Sequence, residues 1–127
     1  MSARAMPSSP ITVLASAART ATVTSDVYKI AGKGYRGICL QVNATASAAS
    51  PSVVCKVQDA ATDDWTDVLA AAAITGVATV NLVIHPSAVD IANLSESTAQ
   101  IRNKWRVVCT ADDADSLTYS VRAFLLP

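Results

Sequence analysis

The sequence has few of the residue types on which most binding and catalytic sites depend. Aromatic residues make up 5% and charged residues 16% of its 127 residues, and it has a single histidine and a single phenylalanine. Catalysis normally needs several convergent polar or titratable side chains, and no Ser or Cys near His85 lies in a nucleophile motif. The sequence therefore predicts that the protein is not an enzyme, and that His85 is a surface residue at the end of a strand.

Net charge and long apolar runs are also missing. Lys and Arg total 10 and Asp and Glu total 10, so the formal net charge is zero. Nucleic-acid partners usually require a basic face, and no apolar run reaches the roughly 18 residues of a membrane span. The N-terminus lacks the apolar segment of a secretory signal. We therefore expect neither nucleic acid nor membrane as a partner, and we expect assembly in a cytoplasm. We also expect association with other proteins, since so few charges oppose it.

Metal and cofactor motifs are not found either. The three cysteines have no CxxC spacing, and no histidine cluster accompanies them, so a zinc site is not predicted. Two groups of aspartates fall in predicted turns but lack the glycine and the late glutamate of an EF-hand loop. We interpret them as solvated turn carboxylates in preference to cation ligands, and we expect no cofactor. These aspartates are Asp63, Asp64 and Asp67 in one turn, and Asp112, Asp113 and Asp115 in the other.

What the sequence has in quantity is the two-residue periodicity of β-strands. Between Val53 and Gln58, apolar residues alternate with polar ones, which is typical of a strand with one buried face. A short polar connection follows, and Trp65 opens a second strand, so the segment predicts a β-hairpin. Trp65 is the largest apolar side chain of this region, and we expect it to anchor the hairpin to a core.

The same alternation predicts strands over residues 35–45, 77–85, 101–111 and 116–126. Residues 11–24 are predicted to form two short strands or one strand with a break. Residues 27–30 are predicted to form another short strand. Seven or eight strands with regularly spaced turns predict an all-β fold, a single-domain antiparallel β-sandwich over residues 11–127 with jelly-roll or immunoglobulin-like topology. Residues 1–10, which include Pro7 and Pro10, predict an extended N-terminal arm.

Two connections are harder to predict from local pattern. Four consecutive alanines at 70–73 favour helix, but the segment is short, so a turn or one helical turn is expected there. Residues 87–100 form a long connection in which a helical turn is expected after Ser87 or Ser95.

The cysteines differ in their expected environments. Cys55 and Cys109 lie on the apolar faces of their strands and are expected to be buried as small hydrophobic residues. Cys39 lies opposite the apolar face of its strand. It is the candidate for an intermolecular contact, and a plain surface thiol is the simpler alternative.

A positive stripe is predicted on the strand that spans residues 101–111. Arg102, Lys104 and Arg106 face one side of it. A phosphate or carboxylate partner is one interpretation, but pairing with acidic residues of a neighbouring subunit is favoured.

Several segments resemble a group of small β-rich virion proteins encoded by tailed bacteriophages. The resemblance covers most of the chain from Ile11 onward. At the hairpin tip, residues 62–64 depart from the Lys-rich or Tyr-rich tips of the group, so no contact is carried over there. The similar stretches are Ile-Thr-Val-Leu-Ala-Ser-Ala-Ala-Arg-Thr-Ala-Thr (11–22), Gly-Tyr-Arg-Gly-Ile-Cys-Leu-Gln-Val-Asn-Ala-Thr (34–45), Trp-Thr-Asp-Val-Leu-Ala-Ala-Ala-Ala-Ile-Thr (65–75), Arg-Asn-Lys-Trp-Arg-Val (102–107) and Ser-Leu-Thr-Tyr-Ser-Val-Arg-Ala (116–123).

The resemblance implies a structural protein of the virion, assembled in the host bacterial cytoplasm. It most readily implies a head decoration or cement protein that binds the major capsid protein or other virion proteins, as a homo-oligomer for which a trimer is one arrangement. A neck or tail component and a glycan-binding host-attachment module are the alternatives, and the latter would need exposed aromatics from Tyr28, Tyr35 and Trp65. The residues expected at an interface are Pro7, Pro10, Ile11, Cys39, Arg102, Lys104 and Arg106.

Overall fold

The computed structural model describes residues 11–29, 35–86, 95–97 and 101–126, and every regular element among them is a β-strand. The predicted all-β class is confirmed. Seven of the ten strands have five or more residues, which agrees with the seven or eight predicted, and three short strands add to them. The strands are β1 (Ile11–Arg19), β2 (Val23–Thr24), β3 (Tyr28–Lys29), β4 (Gly37–Ser47), β5 (Val53–Ala60), β6 (Thr66–Ala70), β7 (Ala78–Ile84), β8 (Ser95–Ser97), β9 (Lys104–Ala111) and β10 (Leu117–Leu126).

These strands form two sheets that pack into a sandwich. One sheet has the order β1-β10-β4-β7-β8, and the other has the order β2-β9-β5-β6, with β3 also paired to β9. The strand pairs are antiparallel except β7 with β8, which is parallel. We call them the β4 sheet and the β9 sheet below.

The pairing identifies the topology. Since β2 and β3 both pair with β9, they count as one interrupted strand, and the main pairs are then β1 with β10, β2/β3 with β9, β4 with β7, and β5 with β6. One long hairpin with its tip between β5 and β6 makes these pairs when it is rolled into two sheets. This is a jelly roll. Of the two topologies predicted, the immunoglobulin-like one is therefore excluded.

The core lies between the two sheets and is filled by alternate residues of the long strands. Trp105, Tyr119 and Leu40 are among its largest fully buried side chains. The inward rows expected from the alternation are confirmed. They consist largely of small and β-branched side chains, which suit the packing of two inner sheet faces. These rows are Ile38, Leu40 and Val42 of β4; Val53, Cys55 and Val57 of β5; Trp105, Val107 and Cys109 of β9; and Leu117, Tyr119, Val121 and Ala123 of β10, where the fifth predicted member, Leu125, is only partly buried against the core.

Three local predictions change in the structure. Residues 11–19 form one strand, and the expected break takes the form of pairing irregularities after Thr12 and Leu14. The helical turn expected after Ser95 is wrong, since β8 pairs with β7 there. The alanine segment is not helical either: β6 ends at Ala70, and Ile74 exchanges backbone hydrogen bonds of 2.8 and 3.0 Å with Val53. Pairing with a neighbouring strand therefore outweighs the local preference of alanine for helix.

Some predictions fall outside the described residues. The N-terminal arm, with Pro7 and Pro10, and the helical turn proposed after Ser87 both lie there. They stay predictions, as does the assignment of residues 11–127 to a single domain.

Candidate interaction surfaces

A network of ionic contacts holds the β5–β6 hairpin against the chain that leads into β9. Arg102 is at its centre: its Nε and Nη2 donate to Asp59 Oδ1 at 3.2 and 3.0 Å, and its Nη1 donates to Asp64 Oδ2 at 2.9 Å. The backbone N–H of Arg102 donates to the other carboxylate oxygen of Asp59 at 3.0 Å. Asp59 is buried, and such a carboxylate requires this set of donors. We call these contacts the hairpin clamp.

Two more cations of the predicted stripe complete the hairpin clamp on the outer face of the β9 sheet. Lys104 Nζ donates to Asp63 Oδ1 at 3.2 Å, and Arg106 Nε donates to Gln58 Oε1 at 2.9 Å. The prediction that all three cations face outward on this side is compatible with these contacts. The contact with a neighbouring subunit stays a prediction, and such a contact would have to compete with partners that each cation already has within the chain.

Trp65 does not anchor the hairpin to the core, so that prediction is wrong. Its ring is half-buried on the outer face, where the Arg106 guanidinium lies 4.2 Å and the Lys104 ammonium 5.5 Å from its centroid. Each such contact is worth about 0.5–1 kcal/mol at an exposed site. Trp105 takes the core position in this sheet, stacked on Tyr28 with ring centroids 4.8 Å apart.

The electrostatics of the hairpin loop follow from these contacts. The backbone N–H groups of Ala61 and Thr62 donate to Asp64 Oδ1 at 3.1 and 3.2 Å. Together with the Arg102 guanidinium, the Thr62 N–H lowers the pKa of Asp64 to about 2. Hydrogen bonds to Asp59 and Asp64 raise the pKa of Arg102 in turn. The loop carboxylate is therefore held in its ionised form by the chain itself.

The other acidic loop is ordered in a similar way. Asp113 Oδ1 accepts from the N–H of Asp115 at 3.0 Å, and Asp115 Oδ2 accepts from the N–H of Ser50 at 3.1 Å. This agrees with the interpretation of these aspartates as turn carboxylates. Within the described part of the chain, no three His, Cys, Asp or Glu side chains cluster as a metal site would require.

An apolar row lies across three strands on the outer face of the β4 sheet. Phe124 of β10, Cys39 of β4 and Val83 of β7 lie directly opposite one another on adjacent strands. Phe124 is 36% exposed, and Cys39 is half-buried, which raises the pKa of its thiol. We call Phe124, Cys39 and Val83 the outer apolar row. The neighbouring cross-strand set on this face is polar and consists of Arg122, Gln41 and Asn81.

The predicted interface residues thus divide between two surfaces. Ile11 pairs with Ala123, the residue before Phe124, so β1 begins beside the outer apolar row that contains Cys39. The cations Arg102, Lys104 and Arg106 lie on the other sheet. Phe124 and Val83 were missed as outward-facing residues, although the alternation of β10 and β7 would have located both.

The aromatic residues that a glycan platform would need are not well exposed. Tyr28 stacks on the buried Trp105, and Tyr35 packs against the core. Trp65 is covered by its two cations. All three side chains are half-buried. The described residues also contain no helix that could cross a membrane.

The described residues form an all-β jelly roll with the outer apolar row on one sheet and the hairpin clamp on the other. The sequence matches no protein-family profile and no curated protein. Among solved structures it is similar to a chain of the Cowpea mosaic virus top component, which consists of naturally occurring empty particles. The TM-score is 0.50 at 13% identity, and the alignment covers 93% of this chain and 84% of that chain. At this identity the similarity shows a shared fold.

Proposed function

We propose that this protein is a structural virion protein of a tailed bacteriophage, a decoration or cement protein that binds the outside of the capsid. The observation that carries the proposal is the jelly roll shared over 93% of the chain with a chain of a virus particle. That particle belongs to a plant virus, so the choice of a tailed phage rests on the five segments that resemble phage virion proteins. In this role the protein has no catalytic activity.

The contact with the capsid is assigned to the outer apolar row. Phe124 is one of the few large apolar side chains left exposed among the described residues. Cys39 lies opposite it on the adjacent strand β4, and Val83 of β7 lies on the far side of Cys39. Burying such a row against a protein surface is favourable by about 25 cal/mol per Å² of apolar area. β1 begins at Ile11 beside this row, and in this proposal residues 1–10 lie along the subunit that covers the row.

The mechanism is passive and multivalent. The rolled hairpin and its clamp make a stiff body, and each copy buries only a small apolar patch. Many copies on one capsid lattice together stabilise the capsid strongly. Once one contact of a linked array has formed, the next contacts form at a high effective concentration. Copies related by a local symmetry axis, for example as trimers, would share the same contact.

Localisation on native particles tests the proposal directly. Particles are labelled with an antibody against this chain and imaged by electron microscopy. We expect label over the head. Label confined to the neck or tail would support the structural alternative at that position, and purified particles without label would overturn a virion role. A glycan array tests the host-attachment alternative, which the half-buried Tyr28, Tyr35 and Trp65 do not favour.

The outer apolar row provides a prediction within this proposal. Phe124→Ser removes the most exposed side chain of the row, and we expect its affinity for particles that lack the protein to fall about tenfold. The matched control is Val77→Ser, because Val77 is 69% exposed and lies outside the row. Occupancy on particles is measured by quantitative gel analysis, with thermal melts to show that both variants are folded. Equal occupancy for the two variants would exclude the row from the contact.

A further inference from the structure

Two thiols face each other across the middle of the β9 sheet. Cys55 of β5 and Cys109 of β9 are directly opposite in the antiparallel register, and β5 and β9 are the two central strands of that sheet. Their Sγ atoms are 2.7 Å apart, and both residues are fully buried in the core. Both are free cysteines in this structure, and Cys39 lies on the other sheet.

The register places the two residues where a disulfide fits the backbone. Opposite residues of an antiparallel pair have Cα atoms about 4.5–5.5 Å apart. Disulfides span Cα separations of about 4.4–6.8 Å, so neither strand would have to move. Both side chains point to the same face, into the core, which brings the sulfur atoms together.

We propose that Cys55 and Cys109 form a cross-strand disulfide when the protein meets a small-molecule disulfide such as oxidised glutathione. One protein thiol, as its thiolate, attacks the small disulfide and releases one small thiol, which leaves a mixed disulfide on the protein. The second protein thiol then displaces the remaining small thiol. The protein loses two electrons and two protons. The small disulfide takes up these electrons and protons and becomes two thiols, so atoms and electrons balance. The inference does not depend on the proposed function.

The environment of the pair predicts how this reaction proceeds. The hydrogen bond between the two thiols and their burial raise the pKa of Cys55 well above its usual range. Because the thiolate is the attacking species, the folded pair should react slowly. Oxidation should therefore be faster during refolding, or in denaturant below the unfolding midpoint, where the sheet opens locally. Cys39 is half-buried on the outer face and should react without such opening.

The test uses the full chain, reduced and then treated with oxidised glutathione in three ways: folded, in denaturant below the midpoint, and during refolding. Free thiols are blocked with N-ethylmaleimide under denaturing conditions, and peptides are mapped by mass spectrometry. We expect a linked peptide containing Cys55 and Cys109, with Cys39 either blocked by the reagent or carrying glutathione. Because the bridge joins residues 54 positions apart, the melting temperature should rise on the order of 10 °C.

Matched variants keep the result decisive. Cys39→Ser should retain the linked peptide and the rise in melting temperature, whereas Cys55→Ala with Cys109→Ala should show neither. Full blocking of both Cys55 and Cys109 after oxidative refolding to a folded protein would overturn the proposal. A bridge that involves Cys39 in place of either residue would overturn it as well.

Discussion

At the residue scale, Gly37 lets the start of β4 lie close to the backbone at the end of β7. A β-carbon at this position would collide with the carbonyl oxygen of Ile84 and lie 3.0 Å from the Cα of His85. These are backbone atoms and cannot rotate away as a side chain would. The absence of a side chain at Gly37 therefore allows the start of β4 to pair closely with the end of β7, beside the outer apolar row.

Gly37→Ala should consequently destabilise the protein. We expect the free energy of unfolding to fall by about 1–3 kcal/mol, since the extra carbon forces a backbone shift in a packed sheet. Urea denaturation measures the change. The control is Gly76→Ala, where a β-carbon meets no atom within 4 Å, and we expect a change within about 0.5 kcal/mol there. Equal stability of the two variants would mean that the Gly37 contact is easily relieved.

At the element scale, the hairpin clamp joins parts of the chain that are far apart in sequence. Asp59 is the penultimate residue of β5, Asp64 lies in the hairpin loop, and Arg102 precedes β9 and bonds to both. Because Asp59 is buried, the loss of its partner would leave an unpaired carboxylate in a poorly solvated position. The clamp therefore couples the position of the hairpin loop to the start of β9.

The pH dependence of stability reports on the clamp. The pKa of Asp64 is lowered to about 2 by the Thr62 N–H and the Arg102 guanidinium, from a model-peptide value near 3.8. A lowered pKa in the folded state means that the stabilisation is complete above pH ~4 and is lost as the pH falls toward 2. Wild type should thus be more stable than Asp64→Asn at pH 7, and the difference should shrink between pH 4 and 2.

Urea denaturation at several pH values measures this difference. Asp63→Asn is the matched control, because Asp63 belongs to the same loop and its side chain is 96% exposed in its ion pair with Lys104. Its difference from wild type should be small at every pH, as is usual for exposed pairs. A difference between wild type and Asp64→Asn that stays constant down to pH 2 would contradict the role assigned to Asp64.

At the scale of the whole molecule, the fold presents different surfaces on its two sheets. The outer face of the β9 sheet carries the hairpin clamp, whose cations already have partners within the chain. The outer face of the β4 sheet carries the outer apolar row, and β1 begins beside it. The β4 sheet is therefore the side on which we place the contact with the capsid.

Removal of residues 1–10 tests the arm at this scale. We expect lower occupancy on particles, because the arm would no longer lie along the neighbouring subunit. The melting temperature should stay close to that of the full chain, since the described core begins with β1 at Ile11. Occupancy is compared with that of the full chain on particles lacking the protein. Unchanged occupancy would remove the arm from the mechanism and leave the outer apolar row as the assigned contact.

Much of the fold could be predicted because side-chain alternation is a local property. The inward rows of β4, β5, β9 and β10 could be assigned from the sequence, since each residue's face depends only on its position along its own strand. The outward position of Phe124 and Val83 could have been found in the same way. The burial of Cys55 and Cys109 was predicted for this reason too.

Which strands become neighbours was decided only by the tertiary structure. The partners of Arg102 and the opposition of Cys55 and Cys109 depend on pairing between β5 and segments some 40 to 60 residues away. The jelly roll depends in addition on the pairs β1 with β10, β2 with β9 and β4 with β7, which also join distant parts of the chain. No local pattern specifies such pairing, because it results from the joint packing of both sheets over one core. The sequence by itself thus determined which side chains point inward, and the packing of the two sheets decided which of them meet.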